Sequence, residues 1–237
     1  MDNSKIYTAR HIFTGDVWLT DHAIITKDGL IKSVVPVSSL TSFQKVYSFD
    51  DSIIAPAFID LQIYGAYDRL LASYPEAESL SKLKDYCEKG GAAFSMATVA
   101  TNTYEVFHKA IDAVKDYWYK GGEGILGLHL EGPWINPVKR GAHIESLIHS
   151  PTLQQAEELL NYGKGVIKII TLAPEVCSKE VIDLILSQNI IISAGHSNAT
   201  YNEAKAGFAM GITTVTHLYN AMSPLQHRQP GLVGATM

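Results

Sequence analysis

Hydrophobic and polar residues are arranged in two different ways along the chain, and the change falls near residue 54. The first 54 residues contain short β-branched and aromatic runs separated by polar turns, such as IYTARHIFT and AIITKDGLIKSVV. Asp28 and Gly29 lie between two of these runs and favour a tight hairpin, because both residue types accept the positive φ angles that such a turn needs. Residues 1–54 are therefore predicted to form a small antiparallel β unit, part of a β-sandwich domain.

Residues 55–237 repeat an apolar strand, a loop and an amphipathic helix. The apolar runs are FIDLQI, AAFSMATV, GILGLHL, VIKIITL, IIISA and ITTVT. Such near-continuous runs are typical of parallel strands covered on both faces, and their alternation with helices indicates βα units. This segment is predicted to be an α/β domain, an incomplete TIM-type β/α barrel with about six of its strands. The chain is expected to be truncated at its carboxyl end.

Two of the helices carry sequence signals for their ends. Ser150 followed by Pro151 predicts a cap and the first turn of a helix. Thr200 and Glu203 have the spacing of a capping box, and Gly211 can end that helix in the left-handed conformation.

Composition and charge exclude several classes of protein. The 19 Lys and Arg residues against 24 Asp and Glu residues give a net charge of −5, which provides no basic field for nucleic acid. The amino terminus has no apolar signal core, and no apolar run reaches the roughly 18 to 20 residues of a membrane helix. Only Cys87 and Cys177 are present, and they lie far apart, so a disulfide framework lacks support. We expect a cytoplasmic protein.

Three residues with metal-ligating side chains follow predicted strands. They are Glu131 after GLHL, His196 after IIISAG and His217 after ITTVT. Because the carboxyl ends of barrel strands meet at one rim, these residues form a candidate site for a catalytic divalent ion. A single strand-end histidine is more often a hydrogen-bonded structural residue, so the hypothesis depends on all three converging. His129 shares the strand face of Glu131 and is expected inside the barrel, in a core or ligand-supporting role.

Three longer strings carry a family resemblance. HLEGPWINPVKRGAH, GHSNATYNEA and THLYNAMSPLQHRQPGLVGA resemble the N-acetylglucosamine-6-phosphate deacetylases of the amidohydrolase superfamily. The resemblance implies a metal-dependent enzyme that hydrolyses the acetamido group of N-acetylglucosamine 6-phosphate to glucosamine 6-phosphate and acetate. It also implies one divalent cation on Glu131, His196 and His217, with zinc as the first choice and iron or manganese as alternatives.

The same resemblance assigns residues to the substrate, a small-molecule amino-sugar phosphate. Ala142 and His143 are placed beside the amino sugar, and Asn220, Ala221 and Arg228 at its phosphate. Guanidinium and amide donors suit a phosphate because they form charge-assisted hydrogen bonds with it. Since the phosphate-binding arginine of this family can serve a neighbouring subunit, a homodimer is expected if the full-length barrel is formed.

Two departures from the family pattern change the expectation. The family's catalytic aspartate ends the eighth strand and has no counterpart before Met237, so the catalytic residue is unassigned and slow turnover of this chain is expected. Where many amidohydrolases have two histidines for another metal, this chain has Gln62 and Tyr64, which are weak ligands. The alternatives are a non-catalytic module that binds a sugar phosphate and metal, and another amidohydrolase reaction such as cyclic-amide hydrolysis.

Overall fold

The protein, seen in a computed structural model that describes residues 3–41 and 45–237, divides into two units, Met1–Ala57 and Phe58–Met237. The first unit is a five-stranded sheet. Its strands are β1 (Lys5–Phe13), β2 (Trp18–Leu19), β3 (His22–Lys27), β4 (Leu30–Pro36) and β5 (Val46–Ile54). The predicted hairpin joins β3 and β4, with positive φ at Asp28 and Gly29.

The first unit is mainly antiparallel, as predicted, but it contains one parallel pair. Strands β2 and β3 pair antiparallel with β1, but β5 pairs parallel with it, and Ile6 lies opposite Val46. A parallel pair needs a long connection rather than a tight turn, so it leaves no local turn signature in the sequence.

The second unit is built on a six-stranded parallel sheet, and every predicted apolar run supplies one of its strands. The spatial order is β13-β12-β11-β10-β9-β6, so that each strand lies beside its predecessor in this sheet. The strands are β6 (Phe58–Ile63), β9 (Ala92–Ala100), β10 (Ile125–Glu131), β11 (Ile167–Leu172), β12 (Ile191–Ala194) and β13 (Thr214–Val215). A short hairpin of β7 (Gly65–Ala66) and β8 (Arg69–Leu70) follows β6. This is the arrangement of a β/α half-barrel.

Helices alternate with these strands. They are α1 (Ala77–Lys89), α2 (Tyr104–Tyr119), α3 (Leu153–Tyr162), α4 (Lys179–Ser187), α5 (Tyr201–Ala209) and α6 (Gly231–Thr236). Within the part of the chain that the structure describes, no helix is both long enough and apolar enough to cross a membrane.

The ends of α3 and α5 test the two sequence signals. The start predicted at Ser150 and Pro151 is wrong, because Thr152 is the cap of α3 and forms a reciprocal capping box with Gln155. A hydroxyl with a partner three residues later satisfies two backbone N–H groups, which a serine before a proline does not. The capping box at the start of α5 is confirmed, and Gly211 follows its last turn with a φ of 115°.

Successive residues of the parallel strands point to opposite faces of the sheet. We call the face that packs against the helices the helix face. It contributes buried apolar side chains to one continuous core, among them Leu128, Leu130, Ile170, Leu172 and Ile192. We call the opposite face the inner face. It carries buried polar side chains instead: His129, Glu131, Thr171, Ser193 and Thr216.

Candidate metal centre

Glu131 is the last residue of β10, and its side chain is almost fully buried. Its Oε1 lies 3.2 Å from Nε2 of His196 and 3.0 Å from Nε2 of His217. The three residues predicted as ligands therefore meet around one carboxylate oxygen. They do so because His196 and His217 each stand two residues after the end of another strand of the same parallel sheet, β12 and β13.

Glu131 remains a carboxylate. Burial disfavours its charged form, but hydrogen bonds from His143, His196 and Tyr64 outweigh that effect and hold the pKa of the carboxyl well below its usual range. A buried anion of this kind provides the negative ligand that a divalent cation requires.

The orientation of His196 is set by the main chain. Its Nδ1 lies 2.9 Å from the carbonyl oxygen of Lys139. Because a carbonyl can only accept, Nδ1 carries a proton in either charge state of the ring; the charged ring donates from Nε2 to Glu131, whereas the neutral ring presents a lone pair at Nε2. Burial lowers the pKa of His196, but the hydrogen bond and charge of Glu131 raise it more, so the net pKa lies above its ordinary value. The neutral ring with its proton on Nδ1 is the tautomer that can ligate a cation through Nε2.

His143 joins the same cluster. Ligating atoms of Glu131, His143 and His196 all lie within 4.8 Å of one another, and Nε2 of His143 is 3.4 Å from Oε2 of Glu131. The backbone N–H of Thr101 donates to Nδ1 of His143 at 3.3 Å. Nδ1 also lies 2.6 Å from the hydroxyl of Thr101, which can donate or accept, so Nε2 of His143 is able either to donate or to ligate.

Gln62 and Tyr64 fill the remaining sides of the Glu131 carboxylate. Nε2 of Gln62 donates to Oε1 at 2.7 Å, and the Tyr64 hydroxyl donates to Oε2. Burial, followed by the neighbouring Glu131, raises the pKa of Tyr64, so the hydroxyl keeps its proton. Both side chains act as hydrogen-bond donors to Glu131.

The residues predicted at the phosphate do not join this cluster. Asn220 and Arg228 are exposed. Arg228 lines a cleft of about 410 Å³ formed by segments 198–202 and 223–231, which Asn220 and Ala221 do not line. Ala221 has a φ of 50°, and its carbonyl accepts the N–H of Ser197 at 3.1 Å. Ala142 is exposed beside the buried His143.

His129 lies inside the barrel, as the strand period predicted. Its Nδ1 is 2.9 Å from the carbonyl oxygen of Leu61, and its Nε2 is 2.7 Å from the hydroxyl of Thr171. That hydroxyl continues to Thr216 at 2.8 Å, which in turn lies 2.7 Å from Ser193. Burial lowers the pKa of His129. A neutral ring bridging β6 and β11 on the inner face has a structural role beside the candidate metal centre.

Sequence reasoning missed one carboxylate near the site. Glu175 lies in the turn Pro174–Val176 that follows β11, and it accepts hydrogen bonds from the two loops around His196. The strand-end rule that selected Glu131 applies to it as well, since it stands three residues after Leu172.

In this protein a parallel β/α sheet brings a buried carboxylate and imidazoles to the carboxyl ends of its strands. These features define a class, the β/α-barrel proteins with a candidate catalytic cation centre. Comparison with known proteins narrows this class. Residues 2–46 match the family model described as the NagA composite domain.

Two curated relatives match nearly the whole chain. The N-acetylgalactosamine-6-phosphate deacetylase of Escherichia coli O157:H7 is 30% identical over 98% of this chain and 61% of its own length. The N-acetylglucosamine-6-phosphate deacetylase of Haemophilus influenzae is 32% identical over 99% of this chain and 60% of its own length. The chain thus spans about three fifths of the length of these relatives.

A solved structure agrees with them. The N-acetylglucosamine-6-phosphate deacetylase from Pasteurella multocida superposes with a TM-score of 0.88 at 29% identity, covering 98% of this chain and 61% of that one. The chain is thus similar over nearly all of its length to amino-sugar-phosphate deacetylases, the resemblance that its sequence motifs indicated.

Proposed function

We propose that this protein serves the metal-dependent hydrolysis of the acetamido group of N-acetylglucosamine 6-phosphate, which yields glucosamine 6-phosphate and acetate. The observation that carries the proposal is the convergence of His196 and His217 on Oε1 of Glu131. These residues come from separate strand ends, and a cation site explains why evolution would bury a carboxylate among imidazoles.

Glu131, His196 and His217 would hold one divalent ion, zinc in first place, with Fe²⁺ or Mn²⁺ as substitutes. When bound, such an ion polarises the amide carbonyl and lowers the pKa of water. Support for a single ion comes from Gln62 and Tyr64, whose donors are already directed at Glu131. A second cation at this position would face an N–H group and a protonated phenol rather than ligands.

His143 is proposed to bind the amino sugar. Its Nδ1 is held by Thr101 and its Nε2 lies 3.4 Å from Oε2 of Glu131, so the ring stands beside the candidate centre, where the substrate would bind. The exposed Ala142 next to it leaves space for the sugar ring. Asn220, Ala221 and Arg228 keep their proposed role at the phosphate.

The exposed position of Arg228, in a cleft lined by none of the candidate ligands, is compatible with service to a neighbouring subunit in a homodimer. We also propose two domains, a partial β-sandwich domain at residues 1–54 and a partial barrel at residues 55–237, in a cytoplasmic protein.

Zinc titration of the purified, metal-free chain tests the proposed centre. Calorimetry is expected to give one equivalent of bound zinc, and Glu131→Gln is expected to weaken binding by more than about 100-fold, since even residues that only support a ligand contribute 10- to 100-fold. His108→Gln is the matched control, because His108 stacks on Tyr162 on the outer helices. Zinc binding by Glu131→Gln at the affinity of the unaltered protein would refute the centre.

Acetate release tests the reaction. The zinc-loaded chain is incubated with N-acetylglucosamine 6-phosphate and, in parallel, with its galacto epimer, because the relative from Escherichia coli is named for the latter substrate. We expect slow release, since general acid–base assistance commonly supplies about 10² to 10⁴ in rate and the base is unassigned in this chain. Tight binding of the sugar phosphate with no release at all would favour the non-catalytic module.

A further inference from the structure

Glu175 joins two loops that lie on either side of His196. Its Oε1 accepts the backbone N–H of Asn198 at 2.6 Å and the side-chain amide of Asn136 at 3.0 Å. Its Oε2 accepts the hydroxyl of Ser197 at 2.7 Å. All three groups donate to the carboxylate, so the negative charge of Glu175 strengthens the hydrogen bonds that hold the two loops.

The same two loops are bonded through His196 itself. The N–H of Asn136 donates to the carbonyl of His196 at 2.8 Å, and the carbonyl of Lys139 accepts from Nδ1 of His196 at 2.9 Å. Glu175, the loop that contains Asn136 and the loop that contains His196 thus form a closed ring of hydrogen bonds. Opening that ring at Glu175 would free the loop of Lys139 to move relative to the imidazole.

His196 needs such support because its backbone is strained. Its φ is 47°, in the left-handed region that a residue with a Cβ rarely occupies. Conformations of this kind persist only where the surroundings hold them in place. The backbone at the preceding Gly195 is closely packed, since a Cβ at that position would approach Cγ2 of Thr171 to 2.9 Å.

We propose that Glu175 is a positioning residue for His196: by bonding Asn136, Ser197 and Asn198 it holds the imidazole with Nδ1 on the Lys139 carbonyl and Nε2 towards Glu131. The proposal rests on the proposed function in one respect, the ligation of a cation by His196. No cation is needed for the orientation itself.

The first test is zinc affinity in Glu175→Gln. A glutamine has the same shape, but its amide NH₂ would face one of the three donors, so the ring opens without a cavity. Zinc binding is expected to weaken about 10- to 100-fold. Ser197→Ala removes one donor and is expected to have a smaller effect in the same direction. Glu157→Gln, on the exposed side of α3, is the control and should bind zinc like the unaltered protein.

The second test uses metal-free protein labelled with ¹⁵N-histidine, and so it does not depend on the proposed function. The Nδ1–H signal of His196 is assigned from its disappearance in His196→Asn. In Glu175→Gln this proton is expected to exchange with solvent at least about tenfold faster, because the loop opens more often. The circular dichroism spectrum establishes that the variant is folded, and Ser197→Ala provides the same measurement if it is not.

An unchanged exchange rate in both variants would overturn the proposal, even if zinc affinity fell. If the unaltered protein bound no zinc, the proposed function would fail, while faster exchange in Glu175→Gln would still support the positioning role.

Discussion

The two faces of the parallel sheet bury different kinds of side chain along the same strands. On the helix face, Leu128 and Leu130 are buried in the apolar core. On the inner face of the same strand, His129 and Glu131 are equally buried, yet each is surrounded by hydrogen-bond partners. One face stabilises the fold by removing apolar surface from water, whereas the other must satisfy polar groups that burial penalises.

These two environments predict different effects of substitution. A change on the helix face should lower the free energy of unfolding and leave the affinity for zinc alone. A change around Glu131 should act mainly on zinc affinity. Substitutions on the two faces test that separation.

Leu130→Ala should lower the free energy of unfolding by about 2 to 5 kcal/mol, because it leaves a cavity at a side chain that is 1% exposed. Urea denaturation of the metal-free protein measures the loss. Leu126→Ala, on the same strand but 37% exposed, is the control and should lose less. If Leu130→Ala also weakened zinc binding to the folded protein more than a few-fold, the two faces would not be separable.

Tyr64→Phe should weaken zinc binding by about 10- to 100-fold, since the Oε2 atom of Glu131 loses the hydroxyl that orients it. Calorimetric titration with zinc at constant pH measures the change. Tyr67→Phe provides the control, because its hydroxyl bonds Asp85 at 3.0 Å rather than Glu131. Stronger zinc binding in Tyr64→Phe would mean that the hydroxyl competes with the cation instead of supporting it.

Thr171→Val should cost about 0.5 to 1.5 kcal/mol of stability, the usual net value of a hydrogen bond, although the side chain keeps its shape. The lost hydroxyl connects His129 to Thr216 on the inner face. Urea denaturation measures the loss. Thr213→Val, at an exposed position directly before β13, is the control that isolates this contribution. A stabilised Thr171→Val protein would show that the inner face gains nothing from this contact.

The sequence predicted the second unit well because its signals are local. Each of the six apolar runs became a strand of the parallel sheet, and strand-end position together with a metal-ligating side chain selected Glu131, His196 and His217. The proximity of these residues follows from topology, since the strands of a β/α barrel end at one rim.

What the sequence did not predict depends on pairings between distant segments. The parallel partnership of β1 with β5 joins strands with no turn between them. Gln62 and Tyr64 were recognised as weak ligands, but their donation to Glu131 depends on the arrangement of β6 relative to β10. Glu175 was not selected from the sequence although it follows a strand, because its role depends on three partners in two other loops.

The contact between His196 and residue 139 has a consequence for evolution. The group that selects the tautomer of the imidazole is a peptide oxygen, which every amino acid possesses. Natural variants could therefore replace the lysine side chain while Nδ1 of the imidazole still carries the proton. The tautomer of His196 thus depends on the conformation of the backbone at residue 139. A comparison of residue identities among homologues would not detect this dependence.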